Sequence, residues 1–91
     1  MATYDILRGK SAAITGSGRG IGRAIALGLA QHGVNVAVNY FRHRAQAEET
    51  AAAVEAAGAR AVVVKAHVGE VEGVQRLVET AAQAFGGVDI F

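Results

Sequence analysis

The chain has 91 residues, 52% of them hydrophobic and 19% charged, with 12 glycines and neither cysteine nor proline. This balance excludes a disordered polymer, and the absence of cysteine excludes a disulfide framework, thiolate metal ligands and a cysteine nucleophile. The net charge of +1 conceals an uneven distribution: residues 6–47 hold six cations and no acid, whereas residues 48–91 hold seven acids and three cations, so an anionic ligand is expected on the first half.

Short apolar runs alternate with stretches of helical period. Ser11 to Thr15 reads as a buried strand closed by glycines. A helix then starts near Gly20, with Ile21, Ile25 and Leu29 recurring on its apolar face, Ala24 and Gly28 beside them as small packing residues, and Gly33 soon after its end. Val34 to Asn39 is a second strand. Ala45 to Ala57 is a second helix with Ala47, Ala51 and Val54 on one face and Gly58 closing it.

Ala61 to Val64 is a third strand, β-branched enough to be covered on both faces. Val71, Val74, Val78, Ala81 and Phe85 mark the inner face of a third helix, with Glu70 and Glu72 at its positive end and Gly86-Gly87 after it. Val88 to Phe91 opens a fourth strand. The order β-α-β-α-β-α-β predicts an α/β fold in which helical crossovers join parallel strands and cover both faces of one sheet. A sequence stopping on Ile-Phe inside a strand is expected to be the N-terminal portion of a larger domain.

No apolar run reaches the ~18 residues of a membrane span, and Met1 to Asp5 lacks the regions of a signal peptide. A cytoplasmic chain without membrane partners is therefore expected; nucleic acid is not expected as a partner either, because Arg19, Arg42 and Arg44 gather around a glycine turn without an aromatic stacking platform.

The sharpest motif is Thr15-Gly16-Ser17-Gly18-Arg19-Gly20-Ile21-Gly22, between the first strand and the first helix. Glycine takes positive φ without a Cβ penalty, lets a diphosphate approach the backbone, and leaves the following helix free to present its N–H groups to phosphate. The cluster is not a strict GxGxxG, because Ile21 stands at the third glycine. Gly9-Lys10-Ser11 is not a P-loop either: Tyr4 replaces the first glycine, and the residues precede a strand rather than opening a helix.

Gly16-x-x-x-Gly20-x-Gly22 preceded by Thr15 resembles the cofactor signature of the short-chain dehydrogenase/reductase family. The likeness extends through Asn39-Tyr40, the Ala47-Glu48-Glu49 helix and Phe85 to Ile90. It implies a Rossmann-type parallel sheet with helices on both faces and a fourth strand beside the first, so that residues 1–91 form a partial NAD(P)-binding domain. It also implies that Gly16, Ser17, Gly18, Gly20, Ile21 and Gly22 line the adenosine and pyrophosphate.

NAD-selective sites place an acid at the end of the second strand, roughly 20 residues after the glycines, to accept from the ribose 2′-OH. Here that window runs from Asn39 through Tyr40, Phe41, Arg42 and His43 to Arg44, with no acid. A 2′-phosphate is repelled by a carboxylate and gripped by guanidinium. Arg19 and Arg42 resemble the two basic positions of NADPH-preferring members, so NADP(H) is expected ahead of NAD(H), with Asn39 and Tyr40 on the adenosine side. Arg44 either joins them or starts the second helix.

His67 and Val68 occupy the place where the family usually has Asp-Val against the adenine. His67 either keeps that contact through one tautomer or loses it. His32, His43 and His67 lie on separate elements, so no metal is expected.

The family's chemistry needs a Tyr with a Lys four residues on. Tyr4 is followed by Arg8 and Tyr40 by Arg44, so no catalytic residue is assigned and the 91 residues alone are expected to be inactive. The resemblance implies an oxidoreductase that transfers a hydride between NADP(H) and a carbonyl or alcohol, a small molecule or an acyl thioester, and that is a homo-oligomer, tetramer or dimer, when full length. Asn39-Tyr40-x-Arg42 and Val64-Lys65-Ala66-x-Val68-Gly69 are similar to reductases of 3-oxoacyl or enoyl thioesters on acyl carrier protein. The alternatives are a non-catalytic dinucleotide-binding module and a basic nucleic-acid-binding fragment.

Overall fold

The computed structural model describes residues 5–91, so the readings that rest on Tyr4 and the other residues before Asp5 lie outside it. A short 3-10 turn over Asp5–Leu7 leads into β1 (Ser11–Ile14), α1 (Gly20–Ala30), β2 (Asn35–Tyr40), α2 (Arg44–Ala56), β3 (Ala61–Lys65) and α3 (Val71–Phe85). The three strands form one parallel sheet in the order β1-β2-β3. Ala12 lies opposite Val36, and Val38 opposite Val63.

Strand parity divides the core in two. Val36, Val38 and Tyr40 point to one face, where they meet Ala26 and Ala30 of α1 and Ala47, Ala51 and Val54 of α2. Ala13, Ala37 and Val64 point to the other, under Leu77 and Ala81 of α3. Helices therefore cover both faces, as expected for a Rossmann-type sheet. β3 is less covered than its composition predicts: Val62 and Val63 are half-buried and only Val64 is buried, because no strand lies beyond it among the described residues.

Two helices turn differently from their apolar periodicity. In α1 the buried residues are Ala26 and Ala30, whereas Ile21 is 81% and Ile25 50% exposed. Gly22 is one helical turn before Ala26, and a Cβ on it would lie 2.5 Å from the Gly16 carbonyl oxygen. The helix sits too close to its own entry turn for large side chains, so its small ones face inward. In α3 the buried line is Gly73, Leu77 and Ala81, and Val71 is exposed. A Cβ on Gly73 would overlap the His67 carbonyl oxygen, which fixes how α3 seats on the end of β3.

The fourth strand predicted at Val88 is a single parallel bridge, Ala12 to Ile90, on the side of β1 away from β2. The Ser11 N–H donates to Asp89 Oδ2 at 2.9 Å, and the Asp89 and Ile90 N–H groups both donate to the Ser11 carbonyl. No helix among the described residues is long and apolar enough to cross a membrane.

Candidate functional site

The turns that follow β1, β2 and β3 gather at the carboxyl edge of the sheet, where open α/β sheets bind ligands. Gly16 and Gly20 have φ of 59° and 62°, and a Cβ on either would meet nothing within 4 Å. Conformation rather than crowding demands glycine at both, and the ground above the turn stays open. Gly18 differs: its Cβ would lie 3.3 Å from the Ala47 nitrogen, so glycine lets the turn lie against α2. Arg19 is the N-cap of α1, its side chain makes no capping bond, and no acid occupies the first turn. The positive end of the helix is therefore unneutralised beside the turn.

Ser17 and Asn39 hold the turn from below. Ser17 is fully buried; its hydroxyl donates to the Ile14 carbonyl at 2.7 Å and accepts from the Asn39 N–H at 2.9 Å. Asn39 Oδ1 accepts from the Gly16 N–H at 3.0 Å, while Nδ2 donates to the carbonyls of Ala66, Val64 and Tyr40. One amide thus joins the ends of all three strands. Thr50 on α2 adds a second tie, with Oγ1 donating to the Gly18 carbonyl at 3.1 Å and accepting from Arg23 at 3.1 Å.

A cavity of about 360 Å³ opens beside the turn, between Gly16 and Gly18 on one side and Phe41, Arg42 and Gln46 on the other. Arg19 and Arg42, both exposed, reach it from different elements, and no carboxylate lines it. His43 also lines it, as the N-cap of α2, again without a side-chain capping bond. Gln46 Oε1 is buried and has no partner among the described residues, which leaves an acceptor at the wall.

Arg44 is held elsewhere. It opens α2, donating to Glu48 at 2.8 Å and to the Tyr40 hydroxyl at 3.2 Å. The Glu48 carboxylate, followed by Tyr40, holds its guanidinium above the ordinary range.

A second cavity of about 240 Å³ adjoins the first, sharing Gly16, Asn39, Tyr40 and Phe41 and walled on its far side by Ala66, His67 and Val68. The rings of Phe41 and His67 meet edge to face, with centroids 4.6 Å apart. The Arg42 guanidinium lies 5.6 Å from the Phe41 centroid, so Phe41 forms a ridge between a basic cavity and a largely apolar one.

Eight of the twelve residues expected at the site line these cavities: Gly16, Gly18, Arg19, Asn39, Tyr40 and Arg42 at the first, His67 and Val68 at the second. Ser17, Gly20, Ile21 and Gly22 do not. Ser17 is buried beneath the turn, Gly22 sits in the first turn of α1 against the Gly16 carbonyl, and Ile21 projects outward. Sequence reasoning passes over Phe41, Gln46 and Thr50. A large aromatic directly after a buried strand is a detectable signal for Phe41; nothing in the sequence marks Thr50 apart from other helical residues.

A family model described as short chain dehydrogenase matches residues 10–91. Versicolorin reductase 1 of Dothistroma septosporum is 46% identical over 84 residues, 92% of this chain and 32% of that protein. L-rhamnose 1-dehydrogenase (NAD(P)(+)) of a Sphingomonas strain is 44% identical over 93% of this chain and 34% of that protein. A crystal structure of a short chain dehydrogenase from Burkholderia cenocepacia in complex with NADP superposes with a TM-score of 0.88 at 41% identity, covering 92% of this chain and 35% of that one. The chain thus spans about a third of the length of the curated relatives it matches.

Proposed function

The chain belongs to the short-chain dehydrogenase family, and from that premise we propose that it is the NADP(H)-binding part of an oxidoreductase that moves a hydride between the cofactor and a carbonyl or alcohol. The observation that carries this reading is the convergence of Arg19 and Arg42 on one cavity that no carboxylate lines. Family members bind a nicotinamide dinucleotide, which supplies the hydride when bound. Two guanidinium groups suit a 2′-phosphate, and a carboxylate would be required to favour a bare ribose.

In this reading each element of the site has one task. Gly16 lets the pyrophosphate lie against the backbone, Gly18 lets the turn seat against α2, and the uncapped start of α1 favours the phosphate charge. Arg19 and Arg42 bind the 2′-phosphate. Val68 and His67 flank the base. The chain holds and orients the cofactor, and proton transfer needs other groups: the Tyr40 hydroxyl accepts from Arg44, and no lysine stands four residues after it.

The substrate class is a carbonyl compound. Thioesters on acyl carrier protein are one such class, supported by the Asn39-Tyr40-x-Arg42 and Val64 to Gly69 stretches alone. Assembly of the full-length protein into a homo-oligomer belongs to the same proposal. The deciding test is calorimetric titration with NADP⁺, NAD⁺, 2′,5′-ADP and 5′-AMP. Tighter binding of each 2′-phosphorylated ligand than its partner supports the reading, and equal affinities overturn the choice of cofactor.

A further inference from the structure

Among the described residues, the smaller cavity has one side chain able to read the edge of a base. Three polar side chains line it: Asn39, Tyr40 and His67. Asn39 is 2% exposed, its Oδ1 taken by Gly16 and its Nδ2 by main-chain carbonyls. Tyr40 packs its ring into the core beneath α1 and α2, and its hydroxyl is held by Arg44. His67 is exposed, touches Phe41 edge to face, and has no hydrogen-bond partner on either ring nitrogen among the described residues. Phe41 is 43% exposed at the rim both cavities share.

We propose that the base subsite, which His67 edges and Phe41 faces, accepts a 6-oxopurine nearly as well as a 6-aminopurine. The inference rests on the dinucleotide reading above. A carboxylate at the edge of a base only accepts hydrogen bonds, so it selects an amino group. A neutral imidazole has one donor and one acceptor and exchanges them by tautomerism. His67 therefore meets the adenine amino group as acceptor and the hypoxanthine carbonyl as donor. Stacking on Phe41 does not discriminate, because every purine offers a π-face.

The test is calorimetric titration of the chain at pH 8 with NADP⁺ and with its hypoxanthine counterpart. For the unaltered chain the two Kd values fall within about threefold, since one neutral hydrogen bond replaces another. In His67→Asp the adenine form is preferred by about tenfold or more, because the carboxylate gains the amino group and faces the carbonyl. In Phe41→Ala both affinities fall by about tenfold with their ratio unchanged. Thermal melts confirm that each variant is folded; the His67 side chain is exposed, and α3 packs on its backbone carbonyl.

A preference of about tenfold for adenine in the unaltered chain, or a His67→Asp ratio equal to the parent's, overturns the inference while leaving the cofactor reading intact. If neither dinucleotide nor 5′-AMP binds, the cofactor reading itself fails and takes the inference with it.

Discussion

Ser17 and Asn39 are bonded in both directions: the Ser17 N–H donates to the Asn39 carbonyl at 3.2 Å, and the Asn39 N–H donates to the Ser17 hydroxyl at 2.9 Å. The turn expected to hold phosphate is thereby fastened to the neighbouring strand by residues whose own polar groups point into the protein. Their contribution to ligand binding is one of position.

This arrangement predicts that Ser17→Ala lowers stability by about 1–3 kcal/mol, because a buried N–H and a buried carbonyl lose their partner. Asn39→Asp is worse: the carboxylate still accepts from Gly16 but faces the Ala66 and Val64 carbonyls where an amide donated. Denaturant melts of the two variants check the order. An Asn39→Asp chain as stable as the parent contradicts the hydrogen-bond assignment.

Arg19 and Arg42 act on the same cavity from separate elements. Replacing both by Ala is expected to weaken NADPH by more than about tenfold, each charge-assisted contact contributing roughly 1.5–3 kcal/mol when fully formed. NADH, which lacks the 2′-phosphate, should change by less than about threefold. An equal loss for both cofactors removes the 2′-phosphate assignment.

Gly22 and Gly73 are set against backbone, Gly16 and His67 respectively, which cannot yield as a side-chain tip would. Gly22→Ala and Gly73→Ala should each cost at least about 1–3 kcal/mol, the usual range for overpacking. Gly87→Ala is the control, since a Cβ there meets nothing within 4 Å and its φ is not positive. Equal melting temperatures for all three would contradict the packing.

Arg44 and Glu48 form an exposed pair, with side chains 68% and 54% accessible. Glu48 and Tyr40 raise the Arg44 pKa. A raised cation stabilises the fold below its unfolded pKa and loses that contribution as pH rises through its folded value. The window therefore lies above the ordinary arginine range, and no change in melting temperature from this ionisation is expected between pH 6 and 9. Glu48→Gln should be nearly silent in a thermal melt.

β1, β2, β3 and α2 were legible to within about a residue because their runs end at glycines and polar turns, whereas the strand expected from Val88 is a single bridge. The inward face of α1 was not legible, and that of α3 only in part: Ala81 is buried and Phe85 packs against the core as expected, but Val71 is exposed. Apolar periodicity selects the largest side chains, whereas in α1 the close approach at Gly22 turns Ala26 and Ala30 inward, and in α3 the contact of Gly73 with the His67 carbonyl turns Leu77 inward in place of Val71. At the site, the glycine turn and the absent acid were readable because each is a matter of residue type. The inward aim of Asn39 depends on strand parity, and the ridge made by Phe41 depends on where the β3 turn brings His67. Both are relations between segments that a single stretch of sequence does not contain.

The Ser11 to Asp89 bond joins residues 78 apart, whereas the β1–β2 and β2–β3 ladders pair segments much closer in the chain. Closing the longer loop costs more entropy, and only one bridge and a few hydrogen bonds repay it. Docking of residues 88–90 on β1 is thus expected late in folding, after the three-stranded sheet has formed. In hydrogen exchange the amides of Asp89 and Ile90 should open ahead of those of β2. The outer side of β1 is the seam at which this fold closes last and opens first.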